Sequence, residues 1–196
     1  MLIVIASEND IQNETKIVNQ LFQAGLECFH LRKPSYDLKN YEAFLNGIAI
    51  EFHNRIVIHD YHELINEYDL KGIHFSEPNR INNLEQGTGY FKGLNMMSKT
   101  ISTSFHDVET LKHCDFEFDY QFLSPVFTSI SKSDYQGKQF DVTGIDKSII
   151  ALGGIHKDNV SKVNALGYAG AAVLGSVWQM RNPLLVYKEM QFSANY

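Results

Sequence analysis

The chain has 196 residues, 44% of them hydrophobic, and a net charge of −6. That is enough apolar material to bury a real core. The acidic balance excludes a general nucleic-acid binder, which carries a broad basic surface, so cations that face a ligand must come in local clusters. Cys28 and Cys114 have neither metal spacing nor a disulfide framework; they read as small core fillers in a reducing cytoplasm. MLIVIASEND at the start has no basic leader and no cleavage site, and no apolar run nears the roughly 20 residues that span a bilayer. A cytoplasmic protein with no membrane partner is expected.

Short β-branched runs alternate with segments of helical period. LIVIA (2–6) reads as a first buried strand, and 11–24 as a helix closed by Gly25. ECFHL (27–31) is the second strand, and 38–52 a helix with Leu38, Tyr41, Phe44, Leu45 and Ile48 on one face. RIVIH (55–59) follows, then a short helix over 62–68 and GIHF (72–75) as the fourth strand. The polar stretch 79–92 reads as a loop with one helical turn at most. KTIST (99–103), a helix over 107–114, and DYQFL (119–123) come next. A long polar loop then takes the place of the sixth helix. SIIAL (148–152), a helix over 158–166 closed by Gly167, and GAAVL (170–174) complete the series. The tail, 177–192, is helical and interrupted by Asn182-Pro183.

Eight strands, most followed by a helix, imply a parallel sheet, and eight units imply a closed (β/α)8 TIM barrel. The expectation is one compact domain over 1–196 with its sixth helix reduced; a doubly wound open sheet is the alternative. In either architecture the ligand sits at the carboxyl ends of the strands. Strand two ends in His30, Arg32 and Lys33; strand three in His59 and Asp60; strand four in Ser76, Glu77 and Asn79. Ser102, Thr103 and Ser104 end strand five, and Ser129, Ser131 and Lys132 follow strand six. Gly153 and Gly154 follow strand seven, and Gly175 and Ser176 follow strand eight.

The last two exits are glycine and small residues, which leave backbone N–H groups free for a phosphate. Arg32, Lys33 and Lys132 suit a clamp on a second phosphate or pyrophosphate, arginine as a bidentate fork and lysine as a point charge. Asp60 offers a hard oxygen to Mg2+. Each feature has a bland reading: Gly-Gly marks a tight turn, a loop lysine is usually just solvated, and His59-Asp60 is an ordinary strand-end pair. His74, inside strand four, points either into the barrel or at a helix. Cations and small residues at successive strand ends favour a site, and two phosphate places facing each other suggest an enzyme that joins two phosphorylated substrates.

The chain resembles the thiamine phosphate synthase family, which shares its barrel with the thiazole tautomerases. FHLRKP, IVIHDYHEL, KGIHFSEPN, FLSPVFTSISK, ALGGI and GYAGAAVLGSVW carry the resemblance, in order and over nearly the full length. It implies a Mg2+-dependent transferase joining hydroxymethylpyrimidine pyrophosphate to thiazole phosphate, with release of pyrophosphate. It places Arg32 on the pyrophosphate, His30 where the family has glutamine, Lys132 and Ser102 near the pyrophosphate, and Asp60 on the metal. Ser129 and Ser131 would hold the thiazole phosphate, with the backbone of Gly153, Gly154, Gly175 and Ser176 cradling it. The family's second metal aspartate falls at Asn79, with Glu77 two residues away as the candidate substitute. His59 replaces an asparagine, Pro34 takes a usual lysine position with Lys33 one place early, and Gly175 replaces a serine. A thiazole tautomerase-like isomerase and a non-catalytic binder of phosphorylated thiamine precursors are the alternatives; Pro125 stands where the tautomerases carry a histidine. A homo-oligomer is compatible with the sequence.

Overall fold

The computed structural model describes residues 1–84, 89–128, 136–138 and 140–194. Eight parallel strands close into a ring: β1 (Leu2–Ile5), β2 (Phe29–Leu31), β3 (Ile56–Ile58), β4 (Gly72–Phe75), β5 (Thr100–Phe105), β6 (Tyr120–Leu123), β7 (Ile149–Leu152) and β8 (Gly170–Val173). The ring shuts where Leu2, Ile3 and Val4 pair with Ala171, Ala172 and Val173. That pairing removes the open-sheet alternative, which would leave β1 or β8 unpaired at an edge.

The helices are shorter than their sequence patterns. α1 (Glu14–Gln23) begins three residues late because Asn13 sits in the left-handed region, with φ 60°. α2 (Leu38–Asn46) is capped by Asp37, whose carboxylate accepts the Asn40 N–H; a 3-10 segment, Ile50–Arg55, replaces its expected last turns. A second 3-10 segment, His62–Asn66, joins β3 to β4. The stretch after β4, expected over 79–92 as a loop with one helical turn at most, opens with the seven-residue α3 (Glu77–Asn83). Ser76 caps it by accepting the Asn79 N–H, and Pro78 lies in its first turn, where a missing N–H costs nothing. α4 (Val108–Lys112) is capped by Asp107, and α5 (Lys162–Ala165) keeps only one turn of the expected 158–166 helix. No helix joins β6 to β7 among the described residues. The tail divides at Asn182 into α6 (Gly175–Trp178) and α7 (Pro183–Ala194).

Strand alternation makes two cores. Phe29, Leu31, Ile56, Ile58, Ile73 and Phe75 face outward and pack with Val18, Leu21, Phe22, Tyr41, Phe44 and Leu45 of the helices. The barrel interior is filled by Ile3, Ile5, Cys28, Val57, Tyr120, Phe122, Ile150 and Ala172. Cys28 is a buried free thiol, as expected of a core filler; Cys114 is half-buried. Gly72 is dictated by the close approach of β4 to β5, since a Cβ there would lie 2.0 Å from the Thr100 carbonyl oxygen. Among the described residues no helix is long and apolar enough to cross a membrane.

Candidate active site

The exits of β2, β3 and β4 surround a cleft of about 500 Å³, lined by Arg32, Lys33, Pro34, Tyr36, His59, Asp60, Tyr61, Ser76 and Asn79. It lies at the carboxyl ends of the strands, the face on which barrel ligands bind. Asp60 presents its carboxylate here, and Oδ2 accepts a hydrogen bond from the Tyr41 hydroxyl at 3.1 Å. Tyr61 beside it holds a left-handed backbone, φ 53°, and donates its hydroxyl to the Tyr36 carbonyl at 3.1 Å. Such a conformation in a non-glycine residue is costly, and it occurs here on the cleft wall.

The two cations of the β2 exit have different fates. Arg32 is partly exposed and pairs with the exposed Glu8 of the β1–α1 loop. The Lys33 ammonium turns inward: its side chain is fully buried, with Nζ 2.5 Å from Glu14 Oε2 and 3.0 Å from the Asn9 carbonyl. Lys33 therefore braces the wall of the cleft by tying α1 to the β2 exit, and its charge is already matched. Glu77, expected as the second metal carboxylate, does not line the cleft; its Oε1 lies 3.5 Å from Arg80 Nη2. The reason is helical geometry. Two residues along a helix are about 200° apart, so with Asn79 on the cleft side of α3, Glu77 faces elsewhere. Asp60, Ser76 and Asn79 line the cleft and carry side-chain oxygens, as do the phenols Tyr36 and Tyr61.

Beneath the cleft, three histidines from consecutive strands meet inside the barrel. His30 Nδ1 and His59 Nε2 share a hydrogen bond of 2.9 Å, and His30 Nε2 lies 2.7 Å from the Tyr120 hydroxyl. His74 is bracketed by Ser102 Oγ at 2.9 Å and Ser104 Oγ at 2.8 Å. The His59 and His74 rings stack at 4.2 Å, and His30 meets both edge-on. Burial, aided by the charge of Lys71, pushes the His30 imidazole down to about 3. Burial, then the neighbouring imidazoles and Arg32, hold His59 and His74 well below the ordinary histidine range. All three are neutral at pH 7. Ser102, expected near a pyrophosphate, is wholly buried, and its hydroxyl serves His74 and the Ile73 carbonyl.

The glycine exits stand elsewhere on the rim, since β7 and β8 lie across the ring from β3 and β4. Gly153 and Gly154 have φ of 96° and 65°. A Cβ at Gly153 would come 2.8 Å from Pro125 Cα, and one at Gly154 would come 2.4 Å from the Phe127 carbonyl oxygen. Both glycines are thus demanded by the β6 exit loop, which crosses directly over them. Gly175 opens α6, and Ser176 Oγ is buried there with no hydrogen-bond partner among the described residues. Ser129, Ser131 and Lys132 lie outside the described residues.

His74, Tyr120 and the Lys33–Glu14 pair were not legible as parts of one structure. A signal existed for His74: Ile73 and Phe75 are large apolar residues that must face the helices, and alternation then forces His74 into the barrel. Tyr120 offered none, because its role comes from its length across the barrel.

A family model for thiamine monophosphate synthase matches residues 1–177. A thiamine-phosphate synthase of Leuconostoc citreum is 25% identical over 193 residues, covering 89% of this chain and 87% of that protein. The solved thiamine phosphate pyrophosphorylase of Bacteroides thetaiotaomicron superposes with a TM-score of 0.79 at 30% identity, covering 99% of this chain and 97% of that one. The Pyrococcus furiosus pyrophosphorylase, at 19% identity and a TM-score of 0.74 over 99% and 95% of the two chains, shares the fold. With matches along nearly its whole length, the chain belongs to the thiamine monophosphate synthase family.

Proposed function

We propose that this barrel works as the thiamine-phosphate synthase its family indicates, joining hydroxymethylpyrimidine pyrophosphate to thiazole phosphate and releasing pyrophosphate. The observation that carries the reading is the cleft itself: one exposed arginine, Arg32, and one carboxylate, Asp60, facing a polar space of about 500 Å³ at the carboxyl ends of the strands. The Leuconostoc citreum relative bears the thiamine-phosphate synthase name and the Bacteroides thetaiotaomicron structure that of a thiamine phosphate pyrophosphorylase, and the tautomerase and binder alternatives gain no support from them.

The chemistry asks for little covalent help. The carbon–oxygen bond to pyrophosphate breaks, and the thiazole nitrogen captures the pyrimidine-stabilised cation. What accelerates such a reaction is charge placed on the leaving group and two rings held in line. Arg32 would leave Glu8 for the pyrophosphate, exchanging an exposed ion pair of small worth for a bidentate grip on a more highly charged partner. Lys132 would add a point charge from the β6 loop. The oxygens of Asp60, Ser76 and Asn79 fit Mg2+, which retains several waters and needs only one or two carboxylates when substrate phosphate completes its shell. Asp60, with Ser76 and Asn79, would hold a Mg2+ ion whose charge would offset that of the departing pyrophosphate. Across the ring, the Ser176 hydroxyl, without a hydrogen-bond partner among the described residues, and the backbone of Gly175, Gly153 and Gly154 would receive the thiazole phosphate; Ser129 and Ser131 are assigned to the same phosphate from the sequence resemblance alone. His59 forms part of the cleft wall, with His30 beneath it.

The test is direct. Pure protein is mixed with both substrates and Mg2+, and thiamine phosphate and pyrophosphate are measured. Equal release of both is expected; no product at saturating metal and substrate would overturn the reading. A change in the thiazole ultraviolet spectrum without Mg2+ would point to the tautomerase instead.

A further inference from the structure

We propose that His30, His59 and His74 form a binding site for a borderline divalent transition metal, Zn2+ foremost, beneath the cleft and separate from the oxygen donors around Asp60. The proposal goes beyond the synthase reading and does not depend on it. Each imidazole offers one ring nitrogen, and the three nitrogens lie within 4.8 Å of one another. Tetrahedral zinc with Zn–N bonds of about 2.0–2.1 Å sets its ligand nitrogens about 3.3 Å apart. The His30–His59 contact, at 2.9 Å, is already near that spacing.

The donor type selects the ion. A set of neutral imidazoles suits zinc, copper, cobalt or nickel, whereas Mg2+ prefers carboxylate and water. A neutral imidazole has one lone-pair nitrogen to give a metal, and here the facing nitrogens of His30 and His59 hold one hydrogen between them. The second layer also fits, since a metal-bound histidine usually gives its other N–H to a fixed acceptor. His30 can hold its proton on Nε2 and donate it to Tyr120, leaving Nδ1 for the ion. His74 keeps one serine partner whichever nitrogen binds, because Ser102 and Ser104 flank both. With the His30 hydrogen on Nε2, His59 Nε2 is the donor of the shared contact, so binding would require that hydrogen to move to His59 Nδ1.

A purely structural role accounts less well for three imidazoles. The surrounding interior is Ile3, Ile5, Val57, Phe122 and Ile150, and apolar side chains there would carry no burden of buried polar atoms. A zinc ion held by three imidazoles would keep a fourth position for another ligand, and His59, which lines the cleft, is the ligand on the side from which that position would be reached. Three neutral ligands leave the ion its full charge, so that position favours a water or an anionic oxygen.

The experiment uses the full chain after dialysis against a chelator. It is titrated with Zn2+ in excess Mg2+, and bound metal is counted by mass spectrometry; Co2+ is added separately and its visible spectrum recorded. One equivalent of Zn2+ is expected, with the intense visible bands of four- or five-coordinate Co2+. His30→Gln and His74→Gln should each weaken binding at least tenfold, and Asp60→Asn should retain it. If a histidine variant fails to fold, the Co2+ spectrum of the unaltered chain decides, since a pale octahedral spectrum would overturn the site. So would the absence of stoichiometric Zn2+, binding indifferent to both histidine variants, or binding abolished by Asp60→Asn. None of these readouts involves turnover, so failure of the synthase assay and failure of this site are separate results.

Discussion

Removing either member of the Lys33–Glu14 pair should destabilise the fold far more than removing both. The side chains are 0% and 5% exposed and 2.5 Å apart, and the ammonium also lies 5.3 Å from the Tyr36 ring and 5.9 Å from that of Phe44. Deleting one partner of such a pair leaves an uncompensated buried charge, at about 3–5 kcal/mol. For a chain of this size that lowers Tm by about 6–20 °C. Replacing both with apolar residues of similar volume, Lys33→Met with Glu14→Leu, removes the charge problem and should return stability to within about 1–2 kcal/mol of the unaltered chain. Urea unfolding of the four species gives the coupling energy, expected to exceed about 2 kcal/mol in magnitude. Single losses that simply add in the double variant would refute the reasoning. The same double variant asks whether Lys33 holds substrate: KM for the pyrimidine pyrophosphate should stay within a few-fold, and a tenfold rise in a stable protein would place the ammonium on the ligand. The pH dependence has a definite sign. Burial raises the Glu14 carboxyl above its ordinary value despite Lys33. Its contribution to stability is therefore full below the unfolded pKa and lost as pH rises through the folded one. Between neutrality and the ordinary carboxylate range, acidification should favour the unaltered chain relative to Glu14→Gln.

Arg32→Ala should lower kcat/KM at least tenfold in the coupled pyrophosphate-release assay, while Tm changes by little, because the exposed pair with Glu8 adds only about 0–1 kcal/mol. Lys132→Ala should lower turnover by at least about tenfold, roughly 1.4 kcal/mol of transition-state stabilisation, and unchanged kinetics would leave it a solvated loop residue. Gly72→Ala puts a methyl group 2.0 Å from a backbone oxygen of the neighbouring strand, so it should cost about 4 kcal/mol or more, read as a large fall in the urea midpoint.

The barrel was legible because each strand is a short β-branched run whose outward face must be apolar. Ile56 and Ile58, or Ile73 and Phe75, announce themselves without any knowledge of neighbours. Helix ends were less legible, because they depend on single backbone conformations such as that of Asn13, or on a cap such as Ser76 that a polar loop disguises. The cleft was half legible. Arg32 and Asp60 are legible by their position after a strand, and the structure brings both to one space, whereas Glu77, expected as the second metal carboxylate, gives way there to Asn79. Position alone did not distinguish Arg32 from Lys33, one residue later, because successive residues leaving a strand point in opposite directions and only the fold shows that Glu14 waits for one of them. Nor did it reveal that Gly153 and Gly154 are constrained by Pro125 and Phe127 of the β6 loop, 28 and 27 residues earlier in the chain.

The closure of the ring has a temporal consequence. The Met1 amino group donates to the Ala169 carbonyl across 168 positions, and Trp178 Nε1 reaches back to the Ile5 carbonyl at 2.6 Å. During synthesis at about 5–20 residues per second, β1 would wait on the order of ten seconds for its partner β8. For that time the nascent chain carries an unsatisfied parallel edge of Leu, Ile and Val, the kind of surface to which other chains add. A barrel sealed by its first and last strands cannot finish folding piecemeal, so its yield in the cell should depend on what shields that edge until the end arrives.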